Sequence, residues 1–275
     1  MAKRYEIVLK RNLCDRVNEY VIYAPLVAKH CRAGQFVILR TDETGERVPF
    51  TISDYSREAG TVSIMVQEVG LTTMKLASMK EGECLQDFVG PLGNPTDLSE
   101  YKNILLVGGG IGSAVIYPQG KQLKKEGKSF EIILGARNKD LFFKLDEFQS
   151  FASTHIVTDD GSLGDKGFVT DKIAELFENG RQFDVIFSVG PLGMMKFVTK
   201  IAEKYGVKSI VSMNSLMVDG TGMCGCCRLT VDGTIKYACI DGPEFDGSKV
   251  DFDEAIQRST TYKHIEEKHK CNIRG

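Results

Sequence analysis

Between residues 5 and about 90, apolar and polar positions mostly alternate. Segments 5–9, 20–23, 35–39, 48–52 and 62–67 carry this period of two and read as strands, with glycines and charged clusters between them. Only 72–79 fits a helix there, with Leu71, Met74 and Leu76 on a partly apolar face. Six or so strands at such short spacing predict an antiparallel barrel. From Asn103 the pattern changes. Segment 104–107 is apolar throughout, and glycines and a helix to about Lys125 follow it. Segments 130–134, 153–158, 184–189 and 208–212 read as further strands, with helices expected at 141–148, 170–178 and 192–205. Apolar strands alternating with helices imply a parallel sheet covered on both faces.

After Met217 the chain changes character again. Segment 219–247 is rich in Gly, Cys and Asp, and Asp232-Gly233 between two alternating runs signals a hairpin. Segment 252–270 is a charged helix candidate whose few apolar positions include Phe252, Ile256 and Ile265. The expected organisation is therefore an all-β antiparallel barrel over 1–99, an α/β doubly wound parallel-sheet domain over 100–216 and a small C-terminal module over 217–275.

Composition narrows the function. The 275 residues are 42% hydrophobic and 26% charged, as in an ordinary globular protein. Lys and Arg number 35 against 37 Asp and Glu, so no basic excess exists to neutralise phosphates, and nucleic acid is not an expected partner. The longest nearly apolar stretch, 104–117, is too short to span a bilayer and is broken by four glycines. Residues 1–6 run into a strand pattern, not a signal-peptide core, so the chain is expected to be cytoplasmic and off the membrane. Cysteines change the picture most. Cys14, Cys31, Cys84 and Cys271 are scattered, but Cys224, Cys226, Cys227 and Cys239 lie within sixteen residues. Clustered thiols in a reducing compartment bind metal or carry redox chemistry.

Three motifs carry the candidate chemistry. Gly108-Gly109-Gly110-Ile111-Gly112-Ser113 follows an apolar strand and opens a helix, which suits a pyrophosphate on a helix N-terminus. The spacing is not the strict GxGxxG, and a tight structural turn would read the same way. The acidic residue that usually ends the second strand is replaced by Arg137-Asn138-Lys139. Gly190-Pro191-Leu192-Gly193-Met194 repeats the strand–glycine–helix arrangement. In the barrel, Arg47, Pro49, Phe50 and Thr51 lie on one strand, and Gln67, Gly70, Thr72 and Thr73 lead into the short helix. An Arg, backbone amides and Thr hydroxyls can hold a diphosphate; equally, Thr72 is a plain N-cap and Arg47 a surface residue. The third motif, Cys224-x2-Cys227-x11-Cys239, has iron–sulfur spacing, with Asp219 where the plant-type pattern places its first ligand. Zinc accepts the same donors. Cys226 competes with Asp219 as fourth ligand. Adjacent residues of an extended loop point opposite ways, which favours Asp219 with Cys226 free.

The barrel, the glycine-rich sheet domain, Arg47-x-Pro49-Phe50-Thr51 and Gly70-x-Thr72-Thr73 resemble the ferredoxin–NADP reductase superfamily. That resemblance implies a barrel binding FAD through Arg47, Pro49, Phe50, Thr51, Gln67, Gly70, Thr72 and Thr73. It implies NAD(H) on Gly109, Gly110, Ile111, Gly190, Pro191 and Met194, with Arg137 beside the adenosine ribose. With the cysteine module, the chain is similar over its whole length to the electron-transfer subunits of dihydroorotate dehydrogenase B. It is more similar still to the small subunits of NADH-dependent ferredoxin:NADP oxidoreductase. Cys226, and Ala114-Val115 without a proline, depart from those relatives. The resemblance implies a [2Fe–2S] cluster on Asp219, Cys224, Cys227 and Cys239. It also implies a larger partner subunit with flavin and iron–sulfur centres, ferredoxin reached through that subunit, and electron bifurcation. Nicotinamide carries two electrons, a cluster one, and a flavin either, so no catalytic acid or base is nominated. Arg137 by itself would suit a 2′-phosphate, whereas the resemblance implies NADH. The alternatives are a dihydroorotate dehydrogenase B electron-transfer subunit, which normally has cysteine where Asp219 stands, and a colourless dinucleotide-binding redox sensor.

Overall fold

The computed structural model describes residues 2–261, so positions 262–270 of the expected terminal helix lie outside the described residues. The first unit contains β1 (Ile7–Cys14), β2 (Val17–Tyr23), α1 (Pro25–His30), β3 (Phe36–Arg40), β4 (Val48–Thr51), β5 (Asp54–Ser56), β6 (Thr61–Gln67), α2 (Leu71–Ser78) and β7 (Asp87–Leu92). Two antiparallel sheets, ordered β1-β2-β6-β5 and β4-β3-β7, close over a core that includes Tyr20, Ile22, Val37, Leu39, Ile64, Leu76 and Phe88. The alternation read in the sequence is this inside–outside pattern.

The second unit runs β8 (Asn103–Gly109), α3 (Ser113–Lys125), β9 (Ser129–Ala136), α4 (Leu145–Phe151), β10 (Ser153–Thr158), β11 (Asp165–Lys166), α5 (Val169–Glu178), β12 (Val185–Val189), α6 (Leu192–Lys204) and β13 (Lys208–Ser212). The continuous apolar run of β8 has a direct cause. Ile104 and Leu106 pack with Ile116, Leu123 and Phe148 of α3 and α4, while Leu105 and Val107 pack with Ile173, Val198 and Ala202 of α5 and α6. Both faces are covered over 104–107, so all four positions there are apolar. The helix expected at 141–148 starts later, because Lys144 adopts a left-handed conformation (φ 53°) as the residue before α4.

The last described segments are β14 (Arg228–Val231), β15 (Thr234–Tyr237), β16 (Glu244–Asp246) and α7 (Phe252–Ser259). Asp232 and Gly233 both have positive φ, 52° and 69°, as a two-residue hairpin turn requires. The large sheet is ordered β11-β10-β9-β8-β12-β13-β16, with β8 to β10, β12 and β13 parallel and β16 antiparallel to β13. An edge strand of the cysteine-rich segment thus completes the dinucleotide-type sheet. The direction of winding reverses between β8 and β12, the place where open α/β sheets form a ligand crevice. One apolar cluster joins Phe36 and Ile38 of the barrel, Met195 and Val211 of the sheet domain, and Cys227, Leu229, Cys239 and Phe252. No helix among the described residues is long and apolar enough to cross a membrane.

Candidate functional site

The two glycine turns stand side by side at the carboxyl ends of β8 and β12. A Cβ on Gly112 would run into the Val189 carbonyl oxygen and lie 2.7 Å from its carbonyl carbon. Gly190 packs against Met194, where a Cβ would lie 2.6 Å from its Cε. These glycines let the start of α3 press against the end of β12. Gly110 and Gly193 differ, because a Cβ there would meet nothing within 4 Å. Their backbone faces open space at the crevice, which suits a pyrophosphate on the amides opening α3 and α6. Ile111 lies in the single 3-10 turn between β8 and α3. Pro191 precedes α6, and Gly190 to Gly193 line a cleft of about 420 Å³ with Asn214, Ile256 and Ser259.

Arg137 is exposed just beyond β9. The backbone amides of Asp159 and Asp160, after β10, donate to the carbonyls of Ala136 and Arg137 at 3.1 and 3.3 Å. The loop after β10 is thereby tied by its backbone to the end of β9, while the Asp160 carboxylate accepts from the Ser162 amide at 2.9 Å. β9 itself ends without an acidic residue, and the nearest ones in the fold, Asp159 and Asp160, follow the neighbouring strand. Only strand order reveals this, since β9 and β10 are parallel neighbours.

In the barrel, β4 pairs with β3, matching Thr51 with Phe36, Phe50 with Val37 and Pro49 with Ile38. All four β4 residues are half-buried, so this strand retains accessible surface. Gln67 ends β6 and Gly70 precedes α2. The backbone amides of Val69 and Gly70 both donate to Thr73 Oγ1 at 2.9 Å, and that hydroxyl donates to the Gly70 carbonyl. Thr73 thus locks the turn. Thr72 Oγ1 donates to Glu46 at 3.4 Å, and a Cβ on Gly70 would meet nothing within 4 Å. The space over Gly70, at the helix N-terminus, fits a diphosphate.

Arg47 bridges the barrel and the cysteine-rich segment, with its Nη1 3.9 Å from Asp87 of β7. Its Nε donates to the Val218 carbonyl at 2.7 Å, directly before Asp219. Gly220, at φ 78°, presses the same loop on the barrel, for a Cβ there would lie 2.7 Å from both Ile38 and Leu92. Asp219 accepts from the amides of Thr221 and Cys224, each at 2.8 Å, and these bonds hold its carboxyl below the usual range. The Cys224 thiol is also lowered, chiefly by backbone amides, first that of Cys226. Cys227 and Cys239 are buried with their sulfurs 3.2 Å apart, and burial pushes Cys239 up to about 12. Cys226 is half-buried, its sulfur 3.9 Å from the Cys224 carbonyl. Among the described residues no three His, Cys, Asp or Glu side chains already stand close enough to hold one metal ion. The donor chemistry nevertheless fits an iron–sulfur cluster: two converging buried thiols, a third with amides aimed at its sulfur, and a metal charge able to deprotonate them.

Comparison with known proteins identifies the family. Residues 214–251 match the iron–sulfur cluster binding domain of dihydroorotate dehydrogenase B. The chain is 49% identical to a Thermotoga maritima homolog of the dihydroorotate dehydrogenase B (NAD(+)) electron transfer subunit, over 95% of this chain and 92% of that one. It is 38% identical to the electron transfer subunit of dihydroorotate dehydrogenase B (NAD(+)) from Fusobacterium nucleatum, over 82% and 89%. A chain solved in the NADH-dependent reduced ferredoxin-NADP oxidoreductase structure superposes with a TM-score of 0.94 at 45% identity, covering 100% of this chain and 99% of that one. With ferredoxin-reductase architecture and a cysteine module completing its sheet, this chain belongs to the family of dihydroorotate dehydrogenase B-type electron-transfer subunits.

Proposed function

We propose that this chain is the pyridine-nucleotide-linked electron-transfer subunit of an electron-bifurcating complex of the NADH-dependent ferredoxin:NADP oxidoreductase type. It is a flavin-dependent NAD(H) oxidoreductase subunit with FAD, a [2Fe–2S] cluster and NAD(H) as cofactors. When bound, these groups exchange hydride between NAD(H) and FAD and single electrons between FAD and the cluster. Arg47, Pro49, Phe50, Thr51, Gln67, Gly70, Thr72 and Thr73 would hold FAD in the 1–99 unit. Gly109, Gly110, Ile111, Arg137, Gly190, Pro191 and Met194 would hold NAD(H) in the 100–216 unit. Asp219, Cys224, Cys227 and Cys239 would hold the cluster in the 217–275 unit. The observation that carries this reading is the Arg47 bond to the Val218 carbonyl, which ties the flavin strand to the cluster loop.

NADH is the nucleotide of this reading, supported by the NAD(+)-linked relatives. Electrons leaving the cluster need an acceptor outside the chain. A larger subunit with its own flavin and clusters, passing electrons to ferredoxin, supplies one. The purified chain, prepared without air, should show flavin and iron–sulfur absorption and prefer NADH over NADPH in dye reduction; a colourless chain or an NADPH preference rejects this part. With the partner subunit, ferredoxin reduction should require both pyridine nucleotides. Ferredoxin reduction by one nucleotide alone excludes bifurcation, and dihydroorotate oxidation by the pair would assign the dihydroorotate dehydrogenase reading.

A further inference from the structure

Helix α7 touches both candidate redox sites with different faces. Ile256 and Ser259, three residues apart and so on one side of the helix, line the cleft beside Gly190, Pro191, Leu192, Gly193 and Asn214. Glu254 and Arg258, four apart on another side, reach the cysteine module. The Thr230 amide donates to Glu254 Oε2 at 3.0 Å, and Arg258 Nη2 donates to the Cys226 carbonyl at 3.3 Å. That carbonyl belongs to the peptide joining Cys226 to Cys227. The helix start is fixed as well: Asp251 Oδ1 accepts from the Glu254 amide at 2.9 Å, the Asp251 amide donates to the Thr230 carbonyl at 3.0 Å, and Phe252 lies in the same apolar cluster as Cys227 and Cys239. Lys196 of α6 pairs with Asp253 at 2.6 Å.

We infer that α7 couples the two sites: occupation of the Gly190–Gly193 cleft by the dinucleotide shifts the helix, and Arg258, as a positioning residue, passes the shift to the cluster loop. The inference rests on the nucleotide and cluster assignments proposed above. An eight-residue helix with packed contacts on two sides moves as a unit, so a ligand pressing on Ile256 and Ser259 cannot leave Arg258 where it was. Coupling of this kind is reciprocal. If the dinucleotide changes the surroundings of the cluster, the redox state of the cluster changes dinucleotide affinity by the same factor. The subunit would then hold or release its nucleotide according to whether the electron has moved on.

The test uses the full chain loaded with FAD and cluster, with 1,4,5,6-tetrahydro-NAD as a nucleotide unable to donate hydride. The EPR spectrum of the reduced cluster and its midpoint potential are measured with and without saturating analogue. A fivefold affinity difference between the two cluster states, at the low end of measured couplings, corresponds to about 40 mV at 59 mV per tenfold for one electron. The wild-type chain is expected to show a shift of that size, Arg258→Met to lose it while keeping the cluster spectrum, and Arg258→Lys to recover part of it. If Arg258→Met fails to hold a cluster, Ile256→Ala carries the test, and its shift at saturation should be smaller than wild type. An analogue that binds without altering the wild-type cluster overturns the coupling, as does a wild-type shift in Arg258→Met or in Ile256→Ala. A chain that binds neither analogue nor cluster overturns the functional reading instead.

Discussion

Cys226 and Cys227 are consecutive, yet Cys227 is buried against Cys239 while Cys226 is half-exposed beside the Cys224 carbonyl. If Asp219, Cys224, Cys227 and Cys239 are the ligands, Cys226→Ala should keep the cluster absorption and EPR signal, and Cys227→Ala should lose both. Asp219→Cys should lower the cluster potential in a redox titration, because a thiolate donates more electron density than a carboxylate. A bleached Cys226→Ala together with an unchanged Asp219→Ala would assign a different fourth ligand. Gly112 makes a separate point. The glycine run is legible in the sequence, where Gly109, Gly110 and Ile111 are expected at the nucleotide and Gly112 has no assigned role. Its role is contact with the Val189 carbonyl, 77 residues along the chain (189 minus 112). Gly112→Ala forces a Cβ onto backbone that is fixed within β12, and overpacking costs about 1–3 kcal/mol. Calorimetry should show a lower melting temperature by several degrees. An unchanged melting temperature would mean that the turn relaxes freely.

Among the elements, those with long runs of one period were legible, and those set by a few residues were not. β8, β9, β12 and β13 are legible because burial on both faces makes their central runs mostly apolar. The hairpin β14–β15 was recognised because Asp-Gly meets the backbone demand of its turn. α1 spans six residues, β5 three, and β7 contains Gly90-Pro91, so none repeats a pattern often enough to be read. At α2 the decisive atom is a single hydroxyl, Thr73 Oγ1, which accepts from two amides and fixes the entry of the helix. Thr73→Val should cost about 1 kcal/mol in denaturant unfolding, as loss of a helix cap does. It should also weaken FAD retention about tenfold, measured by recovery of free-flavin fluorescence on dilution. Thr73→Ser should restore both. Wild-type flavin affinity in Thr73→Val would show that the turn does not carry the diphosphate.

Across the whole molecule, three segments meet in one hydrogen-bond chain. Gln119 of α3 donates to Thr96 Oγ1 at 2.6 Å, and Thr96, in the segment between barrel and sheet, donates to Glu244 of β16. Burial pushes the Glu244 carboxyl up to about 7, and the Thr96 bond only partly offsets it. The folded state therefore holds a proton that the unfolded chain releases near its ordinary value of 4.5. The stability from this group is fully present below about pH 4.5 and is lost as pH rises to about 7, on the order of 3 kcal/mol across the window. Glu244→Gln should remove that slope and raise the melting temperature at pH 8; an unchanged pH profile would show that the carboxyl is solvated. Ion pairs join barrel and sheet domain too, Lys121 with Asp54 at 2.6 Å and Lys144 with Glu19 at 3.4 Å. None of these partners could be paired from the sequence. By itself the sequence determined the barrel, the doubly wound sheet, the two glycine turns and the cysteine spacing, because each depends on periodicity or spacing within one short segment. Tertiary structure alone decided that the Asp160 amide meets the Arg137 carbonyl, that Arg47 reaches Val218 and that Glu244 accepts from Thr96. Periodicity tells a side chain which way to face, whereas strand order and packing decide what it meets there.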